Sequence, residues 1–214
     1  MYLATSFFSI VCPAHLINNA VRSAIKLSGN VSAILARGRA IAGCLHRSIP
    51  IRQALNNALI SRGRKPKNIP QDVAESLNDV VHLMNVSAFT PSDRELMAAL
   101  KRILFLPYTF TMAVSRRACT ASETLPLFTL TFAQLQTMIA EERGAARVFA
   151  TLLHSELEKR YKRDIVHKKF LQNSLILDAR YSMDDTLFPG AKWDDMKDDF
   201  LRSFDNATQG PFDP

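Results

Sequence analysis

Apolar residues recur at three- and four-residue intervals through most of this chain, the period of helices that bury one face. The first such run lies from Leu16 to about Leu27. There Leu16, Ala20, Val21, Ala24 and Ile25 share a side, and Gly29-Asn30 ends the run. A second helix is expected from about Val31 to His46, with Ile34, Leu35, Ile41, Ala42 and Leu45 inward, and a third from Ile51 to Ile60. The stretch SRGRKPKNIP that follows is basic and broken by prolines, so it reads as an exposed loop. From Gln71 to Met84 the helical period resumes through Val73, Leu77, Val80, Val81 and Met84.

The clearest start signal is AFTPSDREL. Thr90 is a good N-cap, Pro91 suits the first helical position, and Asp93 and Glu95 favour the positive helix end. Leu96, Ala99, Leu100, Ile103 and Leu104 then form one stripe, and Pro107 is expected to kink or end the run. Helices are also predicted from Ser122 to Ile139 and from Ala145 to Tyr161. Leu175-Ile176-Leu177 is too short to assign. A last amphipathic helix, about Lys192 to Phe204, sets Trp193, Met196, Phe200, Leu201 and Phe204 against aspartates, and GPFDP closes as a tail. Only the start, MYLATSFFSIVC, departs from this period; its aromatic and β-branched content predicts a strand. The expected fold class is therefore mostly α, a bundle-like helical region behind one N-terminal strand.

At 214 residues and 47% hydrophobic content, the chain can bury a core of its own. Three cysteines give no disulfide framework, which favours a reducing compartment. The apolar start lacks the basic opening of a secretory signal, and the stretch from Ile103 to Val114 is too short to span a bilayer. The expectation is a soluble protein with no membrane partner.

Charge changes the picture more. The net charge of +7 is unevenly spread, because no Asp or Glu occurs before Asp72. That same stretch carries Arg22, Lys26, Arg37, Arg39, Arg47, Arg52, Arg62, Arg64, Lys65 and Lys67. A wholly basic segment produces a field that attracts phosphate backbones. The tail is the reverse, with Asp184, Asp185, Asp194, Asp195, Asp198 and Asp199 prominent. The plainer reading is a solvated basic face balanced by the acidic tail.

Candidate chemistry is sparse. Cys12-Pro13-Ala14-His15 has a usable zinc spacing, but Cys44-Leu45-His46, the nearest other pair, would point its side chains apart on a helix. Cys12 is better read as a small buried residue and His15 as a cap or bridge to neighbouring backbone. His46, His82 and His154 read as partly buried helix residues. No short hydrolase, metalloprotease or phosphate-loop signature is present, and the aspartate pairs of the tail read as one solvated helix face. The expectation is no catalytic residue, no metal and no cofactor.

Three landmarks, in this order and spacing, resemble the central region of hAT-superfamily transposases. The first is a strand running into Cys12-Pro13-Ala14-His15-Leu16-Ile17-Asn18. The second is Ile103-Leu104-Phe105-Leu106-Pro107-Tyr108 followed by Ser122-Glu123-Thr124-Leu125-Pro126-Leu127. The third is Leu177-Asp178-Ala179-Arg180-Tyr181, with Ala179 where the family has proline. The resemblance implies that residues 1–15 are a remnant strand of an RNase H-like domain with its Cys-x2-His junction. Residues 16–181 would then be the helical insertion, and 182–214 an acidic amphipathic helix and tail. It implies a structural role for Cys12, His15, Asp178 and Arg180, and a nuclear location.

The departures matter as much. The family's chemistry uses two Asp and one Glu around divalent metal. The two Asp would precede Cys12, where none of the eleven residues is acidic, and the Glu would lie beyond the insertion. The family's Trp near Asp72-Val73-Ala74-Glu75-Ser76 is absent. The expectation is a catalytically incomplete, transposase-derived chain that is not itself an enzyme. It would retain nonspecific DNA binding through Arg22, Lys26, Arg37, Arg39, Arg62, Arg64, Lys65 and Lys67, with self-association or related transposase chains as further partners. The rival expectation is a helical interaction or oligomerisation module, its basic and acidic ends acting as complementary surfaces.

Overall fold

The structure, a computed structural model, describes residues 12–63, 79–84, 86–165, 169–185 and 193–208. Helices α1 (Pro13–Leu27), α2 (Gly29–Arg47) and α3 (Ile49–Ser61) follow one another with single-residue joints at Ser28 and Ser48. After a short 3-10 turn, Val81–Leu83, come α4 (Pro91–Val114), the 3-10 turn Ala121–Glu123, and α5 (Thr124–Glu141). The remaining elements are α6 (Gly144–Asp164), α7 (Lys169–Leu177) and α8 (Trp193–Thr208). The protein is mostly α, and no strand occurs among the described residues. The strand expected before Cys12 and the loop cations Arg64, Lys65 and Lys67 lie outside them.

Four helices build the centre. Helix α1 lies along α6 and also meets α4, while α5 packs between α4 and α6. Leu16, Ile17, Ala20 and Ala24 of α1 face inward together with Ile103, Phe128, Phe149, Leu153 and Leu157. Phe128 is the aromatic hub. Its ring lies 4.7 Å from Phe110 and 5.1 Å from Tyr161, centroid to centroid. Helix α2 bridges α1 and α6 and carries α3, whereas α7 packs on the 121–123 turn and on α5, and α8 packs on α7. The acidic helix is thus seated on α7.

Polar contacts fasten the α1–α6 seam. Glu156, buried on α6, takes Arg160 at 2.7 Å and Lys159 at 2.9 Å, and Arg160 reaches across to Ser23 Oγ of α1 at 2.7 Å. A charge-assisted set of this kind fixes how the two helices slide relative to each other.

The AFTPSDREL signal is realised as a capping box. Asp93 N–H donates to Thr90 Oγ1 at 3.1 Å, and Thr90 N–H donates back to Asp93 Oδ2 at 2.9 Å. Several boundaries differ from expectation: Gly29 and Asn30, expected to end the first run, open α2, and α3 starts at Ile49 rather than Ile51. Helix α1 begins at Pro13 rather than Leu16, because proline at the first position has no amide to lose and its φ is already helical. Helix α4 runs through Pro107 to Val114, so of the two expectations for that proline, a kink or an end, the end is not realised. An interior proline costs about 3 kcal/mol. Here Ile103, Leu106 and Phe110 are buried on both sides of it, and burying even two such side chains is worth about that much. The short run before Leu177 is helical, α7, and α3 closes at Gly63, whose φ of 68° suits a residue without Cβ. Helix α4 is also long and apolar enough to cross a membrane by length and composition, but its inner face is part of the shared core.

Candidate nucleic-acid interface

On α1 the residues that face away from the core form a single outer line. Cys12, His15, Asn18, Arg22 and Lys26 are all exposed, while Leu16, Ile17, Ala20 and Ala24 point in. Their spacing of three and four residues places them along one side of the helix. The opening motif therefore shows its polar members to solvent. This corrects the expectation of a buried Cys12, and no hydrogen bond from His15 to backbone occurs among the described residues. The physical reason is register: burying Leu16 and Ile17 turns positions 12, 15 and 18 outward. His46 and His82 are likewise exposed rather than partly buried; His154 is half-buried, its Nε2 enclosed without a hydrogen-bond partner.

The expected DNA-contacting cations divide. Arg22 and Lys26 sit one turn apart on this outer line, and Arg39 is exposed on α2. Arg47 on α2 and Arg52 on α3, outside the expected set, are also exposed. No carboxylate pairs with any of these five among the described residues. Arg37 and Arg62 are engaged in ion pairs within the chain, the second of them at the surface. Arg37 donates to Asp93 at 2.6 Å and to the Ala88 carbonyl at 3.3 Å, with its guanidinium 5.6 Å from the Phe89 ring centre. Arg62 pairs with Asp79 at 2.8 Å. Sequence could not separate these from the rest, because each partner lies far along the chain.

A cavity of about 670 Å³ opens between α2, the start of α4 and the α5–α6 turn. Arg37, Arg102 and Arg143 line it against Asp93, Glu95, Glu141 and Glu142, so it is not cationic. Arg102 is held by Glu142 at 2.6 Å. The cavity is a junction of ion pairs and not a phosphate cleft. No group of three or more His, Cys, Asp or Glu side chains suited to a metal ion occurs among the described residues.

A second arrangement gathers the later landmarks. Asp178, just past α7, accepts from Ser122 Oγ at 2.5 Å, from Arg180 N–H at 3.1 Å and from Arg180 Nη2 at 2.7 Å. Arg180 also reaches Glu123 at 3.1 Å and Thr120 Oγ1 at 3.3 Å. Two motifs more than fifty residues apart thus close on one another, and the junction is a latch between the α7 end and the α5 start.

Asp178 is held well below the ordinary carboxylate range, first by the Arg180 hydrogen bonds and then by Ser122. Glu156 is lowered by Arg160 and then Lys159, and Asp93 by the Thr90 backbone amide ahead of its side-chain contacts. Groups lowered in the folded chain stabilise it above their unfolded pKa, and that contribution is lost as pH falls toward the folded values. Thermal stability is expected to be flat from about pH 7 to 5 and to decline progressively below about pH 4.5. Melting curves across that range check it, and stability rising on acidification would contradict the latch. Ser122→Ala removes a buried hydroxyl bonded to a charged group, a loss of about 1.5–3 kcal/mol. The melting temperature should fall on the order of 5 °C, and an unchanged value would show that Ser122 does not hold Asp178.

Fold and surface together define an α-helical protein whose first three helices each carry exposed cations that meet no carboxylate among the described residues. Comparison with known proteins finds no matching family model, no matching curated protein and no matching solved structure.

Proposed function

We propose that this chain is a transposase-derived helical region that holds DNA without reading its sequence and without carrying out the family's chemistry. The observation that carries this reading is the outer line of α1 together with the exposed cations of α2 and α3. Arg22, Lys26, Arg39, Arg47 and Arg52 are exposed, without carboxylate partners among the described residues, on a segment whose sequence has no acidic residue before Asp72. Cations arranged in this way contact phosphates, which position a duplex and carry no sequence information. Asn18, exposed in the same line, adds a neutral hydrogen-bonding group. The resemblance to the hAT region supports the same reading, with a nuclear location and a strand before Cys12, outside the described residues, as parts of it.

The test is binding of a fluorescent duplex across a salt series. Affinity should fall with a log–log slope of roughly −4, since about 0.9 of slope corresponds to each neutralised phosphate. Absence of binding at low salt would overturn the proposal and leave the interaction-module reading in its place.

A further inference from the structure

Helix α4 carries a second surface, unrelated to the basic face. Its inner residues Ile103, Leu106 and Phe110 are buried, yet Phe105 and Tyr108 are each 59% exposed and Met112 is 54% exposed. A single large apolar residue at the surface is ordinary, whereas three in one line mark a contact site. They are spaced three and then four residues apart, the seam along which one helix receives another. The two rings lie side by side, 6.2 Å apart and tilted by 32°.

Charge sets the occupant. Lys101, one turn before Phe105, and Arg116, four residues beyond Met112, are exposed and have no carboxylate partner among the described residues. A second copy pairing through the same seam would bring like charges together at both ends, whichever way the helices ran. A nucleic acid would meet no cation between Phe105 and Met112, Arg102 before them being held by Glu142, and Met112 has no flat ring on which a base could stack. A membrane surface calls for a broad apolar face, and this one is a single line wide.

We propose that the α4 seam docks an acidic amphipathic helix from another protein, apolar along a three-and-four spacing and carrying carboxylates near its ends. Phe105, Tyr108 and Met112 supply the apolar contact, and Lys101 and Arg116 orient the partner. Residues 193–208 of this chain, as a free peptide, come near that chemistry: Trp193, Met196 and Phe200 at the same spacing, Asp194 and Asp195 near the start, Asp198 and Asp199 between Met196 and Phe200, and Asp205 near the end.

The experiment is fluorescence anisotropy of a labelled 193–208 peptide titrated with the full chain. Saturable binding that weakens with salt is expected. Phe105→Ala with Tyr108→Ala should weaken it about tenfold or more, and Lys101→Glu with Arg116→Glu should do the same. All four side chains are exposed, so the melting temperature serves as a control and should not move. Three outcomes would overturn the proposal. One is no saturable binding; another is binding unchanged in both variants, as when the peptide merely displaces α8 from α7. The third is loss of affinity in the Phe105/Tyr108 variant for a dT oligomer or for phosphatidylserine vesicles in place of the peptide. Duplex binding by the basic face is measured separately, so failure of either reading leaves the other standing.

Discussion

Phe128→Ala should lower the stability of this protein by about 3–5 kcal/mol, the cost of removing a fully enclosed phenylalanine from a packed interior. Phe128 has no exposed surface, and its ring meets those of Phe110, Phe132 and Tyr161, drawn from α4, α5 and α6. Truncation removes ring contacts toward both neighbouring helices at once, and close packing leaves little room for them to collapse into the gap. Against a typical total of about 5–15 kcal/mol, that is a large fraction. The melting temperature should drop by roughly 10 °C or more. Phe105→Ala is the matched control. The same chemical change on the outer side of α4 should shift stability by no more than about 0.5 kcal/mol. Urea unfolding of the two variants beside the parent chain decides the matter: equal losses would mean that α4 is turned differently from the arrangement described.

The second large effect concerns the basic face. Arg22→Glu with Lys26→Glu is expected to weaken duplex binding on the order of 50-fold at 0.1 M salt, since each phosphate contact contributes about 0.9 log unit there. Both side chains are exposed on one turn of α1, so the fold should be unaffected. The salt slope should flatten by about two contacts' worth as the affinity falls. Reversal at Arg37 gives the contrasting result. Because Arg37 is committed to Asp93 and the Ala88 carbonyl, Arg37→Glu should reduce stability and leave the slope nearly unchanged. If Arg37→Glu flattened the slope as much as the α1 pair, the division of cations into engaged and available groups would be wrong.

Much of the local structure is legible in the chain because its causes are local. The Thr90 cap, Pro91 and Asp93 lie within four residues, and the helix start they predict is present, closed by a capping box with both hydrogen bonds formed. Inward stripes such as Leu16, Ala20 and Ala24 follow from helical period alone. Pro107 shows where this stops: intrinsic preference predicts a kink or an end, and burial of Leu106 and Phe110 carries the helix past it. The Cys12-x2-His15 spacing was equally ambiguous, since its exposure depends on how the neighbouring apolar pair is seated.

The chain alone sets the mostly helical class, the absence of acidic residues from its first third, and the amphipathic character of the last helix, each of which needs only composition and period. The folded chain was required for every choice among similar residues. Arg22 and Arg37 have the same side chain on successive helices, but only Arg37 meets a carboxylate, from a helix that begins more than fifty residues later. Ser122 and Asp178 meet in the same way, and neither residue's flanking sequence encodes the other. Phe105 and Phe110 differ in nothing but their side of α4, yet one is core and the other surface. Secondary structure arises from interactions a few residues long, whereas ion pairing and exposure depend on which distant segments pack together, and those distances exist only once the helices have assembled.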